Sequence, residues 1–222
     1  MKVPDWNTHI KWAEKLGIDG RVADFINRLI DTPVDVLEND PTELGELYRR
    51  DPASVKSLLI SHDWGRKGKA KLDILKAYCR TRFGEKGVMA AELHHILDYI
   101  TSLRDPEKLA QIIIGSLIFG NTRSNPMEKR IRQIREKFKE REYGKRLKKI
   151  TQELVRLDYD SYKKIIIKAI KIKAKEWSIR GEVLEFVMNN LDEILADIDV
   201  YLRRKHKRVA RPPSTNTLDK WL

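Results

Sequence analysis

The chain is poor in cysteine, glycine and proline, and it has no long apolar run. Its 222 residues include one cysteine, 11 glycines and 8 prolines. A single thiol excludes an intramolecular disulfide framework and a thiolate-cluster zinc site. No segment approaches the roughly 20 apolar residues that span a bilayer, and the N-terminal residues lack the apolar core of a signal peptide. We therefore expect a soluble, cytoplasmic protein with no membrane partner.

The composition is that of a folded, charge-rich protein. Hydrophobic residues make up 41% and charged residues 35% of the chain, and the mean hydropathy is −0.54. These values exclude a disordered or collagen-like chain, and they suffice for one or two domains with apolar cores. High charge combined with only three glutamines is typical of proteins from thermophiles.

Positive charge is concentrated in the C-terminal half of the sequence. The formal net charge is +12. Residues 123–176 carry 19 basic and 8 acidic side chains, and residues 203–211 add six basic and no acidic ones. Because a uniformly charged surface would mix the two signs, this segregation favours a polyanionic partner. A solvated helix face is the alternative interpretation.

Helix signals occur along the whole chain and predict an all-α, multi-helix fold that is rich in helix corners. Three Asp-Pro pairs, at 40–41, 51–52 and 105–106, each place a capping aspartate before a proline at the first helical position. Part of 161–176 alternates at period two, but its isoleucines also align at helical spacing, and we interpret it as a helix. The predicted helices are 20–30, 41–50, 52–61, 69–83, 88–103, 105–119 and 161–176.

A weak internal similarity suggests two related lobes. Residues 58–78 and 169–191 each run from an apolar stretch to a tryptophan, Trp64 or Trp177, then to a glycine and a new amphipathic helix. We expect lobes over 1–122 and 123–209, followed by a linker and tail over 210–222.

Two basic segments are candidate contacts to nucleic-acid phosphates. In 65–71, glycines permit close backbone approach, and the helix that follows would present free N–H groups. In 129–149, basic side chains cover the helix face opposite an apolar stripe, which favours binding without sequence specificity. The candidate nucleic-acid-binding residues are Arg66, Lys67, Lys69, Lys71, Lys129, Arg130, Arg132, Arg135, Lys145, Arg146, Lys148 and Lys149.

One group of residues combines imidazole and carboxylate side chains, namely His62, Asp63, His94, His95 and Asp98. Together such side chains hold divalent metal ions that activate water. The group resembles a fragment of the HD phosphohydrolase family, in which a histidine, an adjacent His-Asp pair and a later aspartate bind metal. The resemblance implies a helical metal-dependent phosphohydrolase or nuclease. The upstream histidine of the family has no counterpart at the expected spacing, because the only earlier one, His9, lies more than fifty residues away. We therefore assign no metal ligand, no cofactor and no catalytic residue.

Other enzyme classes find little support. Cys79 lies inside a predicted amphipathic helix, where a lone cysteine is typically a small packed side chain. The sequence contains no G-x-S-x-G elbow, no Walker loop and no G-x-G-x-x-G turn, which excludes the phosphate-binding and hydrolase classes built on them.

The tail over 210–222 combines two prolines with an apolar end. The prolines cut the tail away from the preceding helix, so its terminal leucines and tryptophan need either a partner or a place on the body of the protein. The segment 215–222 resembles the PIP box, the peptide by which archaeal replication and repair proteins dock on the sliding clamp (PCNA). A threonine stands where that family has glutamine. The resemblance implies the clamp-binding residues Thr215, Leu218, Trp221 and Leu222.

These patterns together predict a DNA-associated accessory protein of replication or repair. Its tail would recruit it to the sliding clamp, and the basic face of 129–149 would contact nucleic acid, with duplex DNA as the expected form. Two alternatives stay open. One is the metal-dependent phosphohydrolase or nuclease around His62 and Asp63, and the other is a helical RNA-binding protein that uses the same basic face.

Overall fold

Helices account for nearly all of the residues that the structure describes. A computed structural model describes residues 6–59, 66–119 and 144–209, without the side chains of 56–59, 66–71, 114–119 and 203–209. These residues contain no strand, which confirms the all-α fold class. None of the helices in these ranges is both long enough and apolar enough to cross a membrane.

Eleven helices make up the described ranges. They are α1 (Trp6–Lys15), α2 (Gly20–Asp31), α3 (Pro33–Leu37), α4 (Glu43–Arg50), α5 (Pro52–Leu59), α6 (Arg66–Leu103), α7 (Pro106–Phe119), α8 (helical residues 144–156), α9 (Tyr159–Glu176), α10 (Gly181–Asn189) and α11 (Leu191–Val209). Residues 60–65 and 120–143, between α5 and α6 and between α7 and α8, lie outside those ranges.

Most predicted helices are confirmed, including the ambiguous segment 161–176, which lies in α9. Two of the three aspartate caps are confirmed as well. The carboxylate of Asp51 accepts a hydrogen bond from the Ser54 amide, and that of Asp105 accepts one from the Glu107 amide, each at 3.1 Å. Such bonds satisfy amides that have no partner within the helix.

The third aspartate differs from the prediction, because α4 begins at Glu43 rather than at residue 41. The side chain of Asp40 turns inwards and is fully buried. It accepts hydrogen bonds from Arg82 Nη1 at 2.6 Å, the Tyr78 hydroxyl at 2.9 Å and the Thr42 amide at 3.0 Å. Asp40 therefore joins the loop before α4 to α6.

Helix α6 consists of two helical arms joined at a kink, which confirms the break predicted between 69–83 and 88–103. Gly84 lies at the kink, with φ 64° and ψ −153°. Glycine adopts this positive φ without the steric cost that a Cβ imposes. The arms come so close there that a Cβ on Gly87 would lie 2.7 Å from the carbonyl oxygen of Cys79. The helix starts earlier than expected, at Arg66, so the basic turn predicted at 65–71 is mostly the first part of α6.

The chain divides into two compact units. Of the described residues, one unit contains 99–119 and 144–169, and the other contains 6–59, 66–98 and 170–209. The boundary predicted between residues 122 and 123 and the predicted linker from 210 lie outside the described residues, and both stay predictions.

Within the second unit, the N-terminal helix is anchored to α11 through Trp12. Its indole is completely buried, stands edge-on to the ring of Phe186, and donates a hydrogen bond of 3.0 Å to the carboxylate of Asp197. Lys11 and Lys15 of α1 also pair with Asp197 and Glu193 of α11, at 2.5 and 2.7 Å. A buried indole with a satisfied N–H combines a large apolar contact with a directional one.

The corner between α9 and α10 is held by a buried ion pair. Lys76 Nζ lies 2.8 Å from a carboxylate oxygen of Glu92, whose side chain is 1% exposed. The same ammonium donates to the carbonyl oxygens of Trp177 and Ser178, both at 3.0 Å. Ser178 has a positive φ of 51°, so the left-handed residue of this corner is Ser178 rather than Gly181, the glycine that follows Trp177 in the internal similarity.

The ionised Asp40 carboxylate stabilises the fold in a pH-dependent way. Burial alone would raise its pKa, but the hydrogen bonds from Arg82, Thr42 and Tyr78 outweigh burial and hold the pKa of Asp40 below its usual range. Its contribution is complete above the ordinary aspartate pKa and declines as the pH falls towards the lower pKa of the folded state. Asp40→Asn should lower the free energy of unfolding by about 2 kcal/mol at neutral pH, since hydrogen bonds to charged groups contribute about 1.5–3 kcal/mol.

Urea unfolding at neutral pH and in acid measures this effect. The difference between wild type and Asp40→Asn should shrink in acid, and a difference independent of pH would contradict the assignment. Glu38→Gln, an exposed substitution two residues earlier, is the matched control and should change stability by less than about 0.5 kcal/mol.

Candidate functional site

Three buried side chains, from two helices that are far apart in the sequence, form a polar cluster in the second unit. His9 comes from α1, and His94 and Asp98 lie one turn apart on α6, so they share one face of that helix. His9 Nε2 is 3.1 Å from Asp98 Oδ1, and His94 Nε2 is 3.3 Å from Asp98 Oδ2. The three residues are 1–2% exposed. The two imidazole rings stack, with centroids 4.3 Å apart and planes 17° apart.

Side chains of α2 surround the cluster and orient His94. Asn27 Oδ1 lies 2.9 Å from His94 Nδ1, and Asp31 Oδ1 lies 3.7 Å from His94 Nε2. The other oxygen of Asp31 accepts a hydrogen bond of 2.8 Å from the indole N–H of Trp6. Because an amide oxygen only accepts, the contact with Asn27 places a hydrogen on Nδ1 of His94 and directs Nε2 at Asp98.

The charges in the cluster follow from burial and proximity. Burial is the main cause that lowers the pKa of His94, and it outweighs the opposing effect of Asp98 and Asp31. Burial would raise the pKa of Asp98, but the neighbouring rings of His94 and His9 hold it well below its usual range. Burial thus favours the neutral form of His94, whereas the ionised carboxylate of Asp98 favours its protonated form.

The cluster agrees only in part with the group identified from the sequence. His94 and Asp98, two members of that group, come together. His95 turns away, with Nδ1 bonded to the Ala91 carbonyl at 2.8 Å and its ring edge-on to Trp177 at 5.8 Å. His62 and Asp63 lie outside the described residues.

Sequence reasoning missed His9 as a member of the cluster. It was set aside because more than fifty residues separate it from His62, but the fold of α1 against α6 places it 3.1 Å from Asp98. Residues that are far apart in the sequence can lie side by side when their helices pack together. The position of His9 three residues before Trp12, on the same face of a helix, was the available signal for an inward-facing histidine.

The cluster is separate from the groove found between α1 and α2. That groove is lined by Ile10, Glu14, Ile18, Asp19, Gly20, Arg21 and Asp24, and no member of the cluster contributes to it. The cluster is therefore a buried site rather than the wall of this groove.

Of the candidate nucleic-acid contacts, the structure describes four in full. Lys145, Arg146, Lys148 and Lys149 are all exposed on α8, and Leu154 on the same helix is buried. Lys129, Arg130, Arg132 and Arg135 lie outside the described residues. Arg66, Lys67, Lys69 and Lys71 lie in the first part of α6, where only the backbone is described.

Helix α9 carries a further basic face that the sequence analysis did not single out. Four exposed lysines, Lys164, Lys168, Lys171 and Lys175, recur at spacings of four, three and four residues, which keeps them on one side of a helix. The residues that alternate with them, such as Ile166 and Ile170, are buried. The alternation of lysines and isoleucines at helical spacing in the sequence was the signal from which this basic face could have been predicted.

The tail residues Thr215, Leu218, Trp221 and Leu222 lie outside the described residues, so their docking on a clamp stays a prediction. Comparisons with known proteins assign no family, since no family model, no curated protein and no solved structure matches this chain. The function is therefore argued from the residues themselves.

Cys79 should be inert in the folded protein. Its side chain is completely buried in α6, and burial raises the pKa of its thiol to about 12, so the thiolate that reacts is scarce. At mildly alkaline pH a thiol-specific reagent should react with the native protein at least about 100-fold more slowly than with the unfolded protein. Time courses of thiol release with and without denaturant measure the ratio. Equal rates would show that the thiol is accessible.

Proposed function

We propose that this chain is a DNA-associated accessory protein of replication or repair, recruited to the sliding clamp by its C-terminal peptide. The basic helices would hold it on nucleic acid, and the tail would bring it to the clamp. When a protein binds through two linked weak contacts, formation of one contact raises the effective concentration of the other binding surface near its partner.

The observation that supports nucleic-acid binding is the exposed basic face of α8. All four of its described candidate residues, Lys145, Arg146, Lys148 and Lys149, reach solvent. Within the described part of the chain, α9 adds the four exposed lysines at helical spacing. Such surfaces contact phosphates through ionic bonds that release counterions, and they carry no sequence information.

The support for clamp docking is the sequence of the tail. Leu218, Trp221 and Leu222 match the anchor and the following pair of the PIP box, and two prolines precede them. A tryptophan that fills a pocket is among the side chains that most often dominate a binding energy.

Clamp docking is tested with the full chain and a sliding clamp from a related source. The double variant Leu218→Ala and Trp221→Ala should weaken binding by about 30-fold or more, since an interface residue of this kind contributes at least about 2 kcal/mol. Titration calorimetry measures the dissociation constants.

The matched control changes the two residues between the anchors. Lys220→Ala and Asp219→Ala together should alter the affinity by less than about threefold, because exposed charges contribute little. No binding by the wild type, or equal binding by both variants, would refute clamp docking.

Nucleic-acid binding is tested by neutralising the basic face of α8. A variant with Lys145, Arg146, Lys148 and Lys149 changed to glutamine should bind duplex DNA more weakly. The slope of log affinity against log salt should fall by up to about 3.6, at about 0.9 for each lost phosphate contact. Fluorescence anisotropy over a series of salt concentrations measures both quantities.

The control for this variant neutralises two exposed basic residues elsewhere, Arg50 and Lys86, and should leave the slope unchanged. Structured RNA is titrated in parallel. A strong preference for RNA would favour the RNA-binding alternative, and an unchanged salt slope in the four-residue variant would refute contact through α8.

The phosphohydrolase alternative is centred on His62 and Asp63, which lie outside the described residues, so it stays a prediction. Within the described residues, His9, His94 and Asp98 are 1–2% exposed. Hydrolysis at this cluster would require a phosphoester to reach the metal that activates its attacking water.

A further inference from the structure

The cluster of His9, His94 and Asp98 has the donor atoms of a metal site. One donor atom from each residue lies within 4.8 Å of the other two. Two imidazole nitrogens and a carboxylate suit first-row transition metals, above all zinc. The donors come from α1 and from the arm of α6 that follows Gly84, so an ion bound to all three would connect these two helices.

The two contacts that involve Asp98 have lengths close to those between ligands of one ion. Donors held about 2.0–2.1 Å from zinc at tetrahedral angles stand about 3.3 Å from one another. Nε2 of His94 and Oδ2 of Asp98 are 3.3 Å apart, and Nε2 of His9 and Oδ1 of Asp98 are 3.1 Å apart. The two imidazole rings are stacked with their planes 17° apart, so both rings must turn out of the stack for their Nε2 atoms to face one ion.

The surroundings orient the donors as they do around bound metals. Asn27 Oδ1 accepts from Nδ1 of His94 at 2.9 Å, and a histidine that binds metal through one nitrogen usually donates from the other to an oxygen. With its hydrogen on Nδ1, His94 would offer the lone pair of Nε2 to an ion lying between it and a carboxylate oxygen of Asp98.

A further carboxylate is close enough to complete the coordination. Asp31 Oδ1 is 3.7 Å from His94 Nε2, and its other oxygen is held by the indole of Trp6. Structural zinc sites are closed and usually have four protein ligands. The deep burial of the three principal donors agrees with a closed site.

We propose that His9, His94 and Asp98 bind one divalent transition-metal ion of the zinc type, with Asp31 as the nearest further ligand, and that the ion fastens α1 to α6. The site is structural, and it is independent of the proposed clamp and nucleic-acid contacts.

The test uses the full chain after removal of metal with a chelator and titration with Co²⁺ and Zn²⁺. Co²⁺ should bind one to one with the visible absorption of a site of nitrogen and oxygen ligands, Zn²⁺ should displace it, and Zn²⁺ should raise the midpoint of thermal unfolding. Absence of a one-to-one Co²⁺ complex in the wild type would overturn the proposal.

Variants locate the site. Asp98→Asn keeps the shape of the side chain, and His9→Gln changes the ligand on the other helix. Each variant should weaken Co²⁺ binding by more than about 100-fold.

Asn27→Leu removes the oxygen that accepts a hydrogen bond from Nδ1 of His94. It should weaken Co²⁺ binding by about 10–100-fold, the usual effect of losing a hydrogen-bond partner of a metal ligand. His95→Gln is the matched control, because His95 is equally buried next to His94 but faces Trp177, and it should bind Co²⁺ as the wild type does.

Two further outcomes are decisive. Wild-type affinity in both Asp98→Asn and His9→Gln would overturn the proposal by placing the metal elsewhere. If either variant fails to fold, proton NMR of the wild-type Co²⁺ complex replaces it. Paramagnetically shifted imidazole resonances from two histidines are expected. A spectrum without any such resonance would overturn the proposed site. Clamp binding by the metal-free protein, measured in parallel, reports on the proposed function alone.

Discussion

The second unit depends on matching the buried polar side chains of α6 with partners from other parts of the chain. Lys76, Glu92, His94 and Asp98 are each at most 8% exposed. A buried charge without a partner costs several kcal/mol, so each of these positions determines what packs against it. Glu92 is paired with Lys76, Asp98 with His9, and the ammonium of Lys76 also binds the corner after α9. The helix thus specifies the positions of its neighbours through polar contacts as well as apolar ones.

Local signals predicted most of the secondary structure. The stripe over 20–30 and the caps at Asp51 and Asp105 depend on residues within a few positions of each other, and they hold in the fold. Asp40 has the same local pattern but a different role. A side chain of α6, Arg82, reaches its carboxylate from 42 positions further along the chain, and such a contact is invisible in the local sequence.

The candidate site shows the same limit. The spacing of His94 and Asp98 placed them on one helix face, whereas the choice between His94 and its neighbour His95 depended on how α6 is rotated against α1 and α2. His9 entered the cluster because Trp12, three residues later, is anchored on α11. The exposed lysines of α8 were predictable because charge on the outer face of an amphipathic helix needs no tertiary partner.

Gly84 divides α6 into two arms, and Lys76 and Glu92 reach across that division to meet. A methyl group built at Gly84 would touch nothing within 4 Å, so a larger residue there would meet only torsional resistance, about 1–2 kcal/mol. The bend is set by backbone rotation at Gly84, and the ion pair of Arg80 with Glu85 crosses it as well. Both arms meet at the Trp177 corner, where Lys76 of one arm bonds the backbone carbonyl and His95 of the other arm packs edge-on against the indole.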